Sequence, residues 1–305
     1  DSLSLALHFG RLIVHSGLDG NRTLIQVDGT PHELKLGPSS SLAVEVDNLF
    51  VPGAGRAPAP LQITWMLNSG TAAVADNVEL TAPQTWQTVN GVDGQPAPAE
   101  DIPAWIDGQE MTLLEIDTKR DVADALVPGQ PVVVRLLELN DPDARGRRAE
   151  VRALAAQGAA AIGLFEPLIK TLDDVSQKST WDREIAVIRQ AIARDPLSVD
   201  ALGKTLATLY GPEQAADLLE MLVGYDTAQI GTTKEEITQG ALARLIDWLD
   251  NDQLIYRVLA IHNITEITGK TPGGYRPTWP ARQRQRVIDR YYRERLDKGE
   301  LTPQR

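Results

Sequence analysis

Four histidines, His8, His15, His32 and His262, are the side chains best suited to acid–base or metal chemistry near neutral pH. Each stands alone in the sequence, without a partner at the spacing a metal site needs. There is no cysteine, which removes disulfides, thiolate ligands and cysteine nucleophiles together. Gly269-Lys270-Thr271 imitates the end of a phosphate loop, but position 264 is Ile264 instead of the required glycine, and the tract closes a helical pattern instead of opening one. It reads as a helix C-terminal cap. Asp247, Asp250 and Asp252 lie close together, yet the glycine turn and terminal glutamate of an EF-hand loop are missing, so a solvated turn is expected. No serine sits in a G-x-S-x-G elbow. A glycosidase carboxylate pair is assembled in space, and any of the 42 acidic residues could contribute to one. With that reservation, no catalytic residue, cofactor or metal is expected, and the chain reads as a noncatalytic binding protein.

Binding rather than turnover directs attention to aromatic and cationic side chains. Trp65, Trp86 and Trp105 fall in or just after a strand-rich region. Trp65 alternates with Ile63 and Leu67 and is expected to point inward with them, whereas Trp86 and Trp105 are expected to be freer to face a partner such as a glycan. Tyr275, Arg276 and Trp279 form a second candidate, because Pro277 and Pro280 stiffen the loop that carries them. The competing reading is that this loop pins the last helix. That helix bears Arg282, Arg284, Arg286, Arg290, Arg293 and Arg295 around a stripe of Val287, Ile288, Tyr291, Tyr292 and Leu296. The stripe is expected to pack on the helical body while the arginine stems cover its flanks.

The elements that hold these residues change character part-way along. From Leu3 to about Val89, short runs rich in Val, Ile, Leu and Thr are broken by turn formers such as Asp19-Gly20, Asp28-Gly29 and Asn90-Gly91. Strands are predicted at 3–8, 11–15, 23–28, 32–36, 42–46, 61–66 and 78–81, forming an antiparallel β-sandwich or jelly-roll-like domain over residues 1–103. Pro52 to Pro60 reads as a long loop, and Gly91 to Pro103 as the way out of the sheets. Residues 104–130 are expected to connect. Beyond Thr112 the apolar spacing becomes helical, and an all-α domain is expected over 131–305 with about seven or eight helices. Pro131 is expected in a first helical turn, followed by Val132, Val133, Leu136, Leu137 and Leu139 on one side, although the valine richness also fits a strand. Thr233 and Glu236 make a capping box, Ser179 or Thr180 a cap, and Gly211-Pro212 a helix start.

The 305 residues, 42% hydrophobic, allow a sizeable core, and the mean hydropathy of −0.21 with only short apolar runs predicts no membrane span. The net charge of −12 is uneven. Residues 1–150 carry 10 basic and 21 acidic side chains, residues 151–275 carry 11 and 17, and residues 276–305 carry 9 and 4. An acidic body disfavours nucleic acid as a partner.

Two helical segments resemble each other. Arg152 is followed by Ala155, Ala159 and Ile162, and Arg257 by Ala260, Ile264 and Ile267, at the same offsets, each closed by a glycine at Gly163 or Gly269. The acidic turn Asp247 to Asp252 between Leu245–Leu249 and Leu254–Ala260 has the pattern of a HEAT-type helical hairpin, whose faces are buried by stacking on neighbours.

The stretch Gly29-Thr30-Pro31-His32-Glu33-Leu34-Lys35-Leu36-Gly37-Pro38-Ser39-Ser40-Ser41-Leu42-Ala43-Val44 resembles the FecR-type β domain: a glycine turn, a strand, a serine turn and another apolar strand. Glu150 to Ala155, Phe165 to Leu168 and Arg257 to Pro277 are similar to the helical extension that follows such domains in some bacterial envelope proteins. The resemblance implies an extracytoplasmic sensor or scaffold linked to anti-sigma signalling, with a protein partner in the envelope and a membrane anchor outside this chain. It carries over no functional residues.

Overall fold

The computed structural model describes residues 3–27, 29–74, 78–100, 102–107, 112–143 and 147–304. They form two compact units, one of residues 1–49 and 59–112, the other of residues 50–58 and 113–305.

The first unit is built of strands β1 (Leu3–Leu7), β2 (Gly10–His15), β3 (Asn21–Val27), β4 (Thr30–Leu36), β5 (Ser41–Asn48), β6 (Leu61–Ser69), β7 (Thr71–Val74), β8 (Val78–Thr81), β9 (Gln84–Val89), β10 (Val92–Asp93) and β11 (Ala97–Pro98), followed by the short α1 (Ala104–Asp107). One sheet has five strands in the order β1-β3-β4-β7-β8. The other has six, in the order β10-β9-β6-β5-β2, with β11 also on β9. Alternation decides which side chains meet: Ile25, Leu34 and Leu36 from one sheet close on Val44, Val46, Ile63, Trp65, Leu67 and Trp86 from the other. The serine turn fastens the two sheets. Ser40 is buried, its Oγ donates to the Thr71 carbonyl and accepts from the Thr71 N–H, both at 2.9 Å. Gly70, at φ +80°, lies so near that an added Cβ would strike the Ser40 side chain.

The second unit contains α2 (Leu113–Ala125), α3 (Val132–Asn140), α4 (Ala149–Ala161), α5 (Glu166–Leu172), α6 (Trp181–Arg194), α7 (Ser198–Tyr210), α8 (Pro212–Val223), α9 (Thr227–Ile230), α10 (Lys234–Gln239), α11 (Ala241–Trp248), α12 (Leu254–Thr268), α13 (Ala281–Ile288) and α14 (Glu294–Lys298). A π turn at Asp289–Arg293 joins the last two. Helix α12 is buried on nearly every side, and Leu259, Ile264 and Ile267 share a core with Ile188, Leu218, Met221, Ile288 and Tyr292. Its C-cap is Gly269 in the left-handed conformation, the role the Gly-Lys-Thr tract was expected to fill. No helix among the described residues is long and apolar enough to cross a membrane.

Several expectations are corrected. The β region is not wholly antiparallel, because β1 runs parallel to β3 with Leu3 opposite Thr23. The intervening β2 lies in the other sheet, so β1 and β3 are not the arms of a hairpin. Residues 104–130, expected to connect, include α2, which belongs to the helical unit. That unit also takes in residues 50–58, far outside the expected 131–305. Capping boxes at Asp226–Gln229 and Thr233–Glu236, with Gly240 after them, cut the chain into more and shorter helices than periodicity suggested. Thr180 precedes α6 but its hydroxyl donates to the Gln177 carbonyl instead of capping the helix.

Candidate functional site

Strand register assembles a polar row on the outer face of the six-stranded sheet. Arg11 on β2 is opposite Glu45 on β5, Glu45 is opposite Thr64 on β6, and Thr64 is opposite Gln87 on β9. Arg11 Nε donates to Glu45 at 2.7 Å, and Gln62 Nε2 donates to the Thr64 hydroxyl at 3.2 Å. The adjacent row, Ala43, Met66 and Thr85, is less polar. Beside the row, Ala99, Glu100, Ile102, Pro103 and Ile106 form a wall and leave a cavity of about 330 Å3 that Glu45, Gln62, Thr64, Met66 and Gln87 also line. Nothing in the linear sequence marks this site, because its floor comes from strands paired across long separations.

Trp105 stands beside it. The Arg11 guanidinium lies 5.0 Å from the Trp105 ring centroid, and Trp105 Nε1 is buried with no hydrogen-bond partner among the described residues. Trp86, by contrast, is in the core and offers no face to a partner. It pairs across the strands with Trp65, the ring centroids 6.3 Å apart, and its Nε1 donates to the Gly94 carbonyl at 3.1 Å. The expectation that Trp86 is free fails because β9 is a central strand of the sheet, flanked by β6 and β10, and its apolar side must face inward.

In the helical unit the loop candidate is also mostly structural. Tyr275 is buried, its hydroxyl donates to the Leu249 carbonyl at 2.5 Å, and its ring meets Tyr292 and Trp279 edge to face. The Trp279 carbonyl accepts from Arg284, and Pro277 accepts from Arg257 Nε at 2.8 Å. Arg276 is exposed. These contacts pin the last helix, and Arg284 and Arg293 complete the attachment by pairing with Asp250 and Asp247. Two of the three clustered aspartates are thereby helix fasteners, and the third, Asp252, offers its carbonyl to Arg257.

The histidine that looked solitary sits in the densest network of the unit. Arg189, 6% exposed, donates to the Leu222 carbonyl, to Asn263 Oδ1, to Glu266 Oε2 at 2.8 Å and to His262 Nε2 at 3.2 Å. A guanidinium only donates, so His262 Nε2 accepts and its Nδ1–H donates to Asp182, 3.0 Å away. That hydrogen bond lowers the Asp182 carboxyl pKa. Thr265 and Thr271 line the same open hollow and bond to each other at 2.9 Å. The arrangement has the parts of a hydrolase triad in the wrong order: the imidazole lone pair is directed at an arginine, leaving none to take a proton from a hydroxyl.

Among the described residues no group of three or more histidine or carboxylate side chains could hold a metal ion. No family model, curated protein or solved structure matches the chain.

Proposed function

We propose that the protein is a noncatalytic binding and scaffolding module of the bacterial cell envelope, related to FecR-type signalling proteins, with a β-sandwich followed by a HEAT-like helical stack. The order of a two-sheet unit and then a helical one supports this reading, as does the use of the ionisable side chains. Arg152, Arg189, Arg257 and Arg284 are all spent on tying helices together.

One observation carries the binding role. Helix α3 buries Leu136 and Leu139 but exposes Val132, Val133, Val134 and Leu137, and Leu113, Leu114 and Ile116 are exposed on α2. An apolar face of this kind at one end of a helical stack marks an interaction surface. The charges beside it are already matched, Arg135 with Glu138 and Arg120 with Asp117, so the face suits the apolar stripe of a partner helix rather than a charged segment. The partner is therefore an envelope protein that presents an amphipathic helix. Proteins co-purified from envelope extracts with the full chain should be lost with the double variant Val133→Glu, Leu137→Glu, and the purified partner should rebind the intact chain alone. Capture of the same proteins by both forms sinks the assignment of this face. Substrate turnover that vanishes on replacing one carboxylate sinks the noncatalytic reading.

A further inference from the structure

The cavity on the six-stranded sheet points to a second ligand, independent of the helical face. We propose that it binds a neutral saccharide of about disaccharide size. A sheet's solvent face is ordinarily flat and wet, but here Ala99, Glu100, Ile102, Pro103 and Ile106 border a hollow of about 330 Å3 above β5, β6 and β9, within the range of small-ligand pockets.

The chemistry of the floor selects the ligand class. Gln62 and Gln87 each offer an amide donor and an amide acceptor, Thr64 a hydroxyl that does both, and Glu45 a carboxylate acceptor. Neighbouring hydroxyls on a sugar ring also donate and accept, so they can pair with such a row without leaving a polar group unmatched. Charge argues the same way. The carboxylate in the row is paired with Arg11 at 2.7 Å and a second one, Glu100, also lines the cavity, so an anion is disfavoured and the acceptors suit hydroxyl donors. Met66, Ile102 and Ile106 supply the apolar contact that the C–H face of a pyranose needs. Trp105 lies behind this lining rather than in it, and the Arg11 guanidinium that pairs with Glu45 packs over its ring at 5.0 Å. Recognition thus rests on an amide and hydroxyl row instead of the flat tryptophan face that the sequence suggested.

Nuclear magnetic resonance titration of the full chain with cellobiose, maltose and N,N′-diacetylchitobiose at millimolar concentration tests this directly. At least one disaccharide should shift the side-chain amide signals of Gln62 and Gln87 saturably. Gln87 is exposed, so Gln87→Ala should melt like the parent protein and bind about ten-fold more weakly, the loss expected for one good hydrogen bond. Gln62→Ala serves as the second variant and should weaken binding similarly. The Val133→Glu, Leu137→Glu protein should bind the sugar normally, which separates this site from the helical face. No saturable shift with any of the three disaccharides overturns the proposal. So does unchanged affinity in both glutamine variants, or saturable occupation of the pocket by tetralysine in place of sugar.

Discussion

Glu184 shows what a single buried side chain does to this protein. It is fully buried on α6, accepts from Gln157 Nε2 at 3.1 Å, and has a second oxygen with no partner among the described residues. Burial is the largest influence on its carboxyl and raises the pKa to about 7 from an ordinary 4.5, against the lowering effects of Gln157, Arg183 and Thr180. The folded state therefore holds a proton that the unfolded chain releases near its ordinary pKa. Stability from this group is full below about pH 4.5, declines as pH rises toward 7, and is flat above, a difference of roughly 3 kcal/mol. Glu184→Gln keeps the acceptor for Gln157 and removes the titration. Urea unfolding followed by far-ultraviolet circular dichroism should show the parent losing stability between about pH 4.5 and about pH 7, and the variant losing much less over that window; equal slopes would refute the assignment. Nothing in the sequence around Trp181-Asp182-Arg183-Glu184 distinguishes this glutamate from its exposed neighbours except its place on the helix. Its enclosure depends on α4, which packs from elsewhere in the chain.

At the scale of elements, the C-terminal helices behave as a fitted closing piece. Ile288, Tyr292 and Leu296 are buried in the main helical core, while Arg282, Arg286 and Arg290 remain exposed on the other side. The apolar stripe was legible from its helical spacing, and so was its inward direction. The π turn at Asp289–Arg293, within which Tyr292 meets the Tyr275 ring, was not. Tyr292→Ala should destabilise the helical unit by about 3–5 kcal/mol through loss of buried volume and of the edge contact with Tyr275. Deletion of residues 280–305 should lower its melting temperature further. An unchanged melting temperature after deletion, together with lost binding to anionic vesicles, would instead make this helix a surface-binding element.

For the whole molecule, the chain enters the helical unit twice. Between β5 and β6 it leaves the strands, and Phe50–Pro58 packs with the helices. Arg189 stacks on the Phe50 ring at 5.0 Å, the Gly53 N–H donates to the Val223 carbonyl at 3.1 Å, and Arg56 pairs with Asp200. Gly53 has φ +78°, and a Cβ there would strike the Asp226 backbone. A change in a loop that belongs to the strand region by sequence should accordingly weaken the helices: Phe50→Ala should lower helical stability by about 1–3 kcal/mol in urea titration. No change would mean that this loop contributes nothing. The sequence by itself determined a β region followed by helices, the Gly269 cap, the Thr233–Glu236 capping box and the inward Trp65, because each depends on residues a few positions apart. Only the tertiary structure decided that Trp86 is buried, that His262 serves Arg189 and Asp182, that α2 joins the helices, and that Arg11, Glu45, Thr64 and Gln87 form one row. Those facts follow from pairings between residues separated by about twenty to eighty positions, where chain geometry, and not local spacing, fixes which side chains meet.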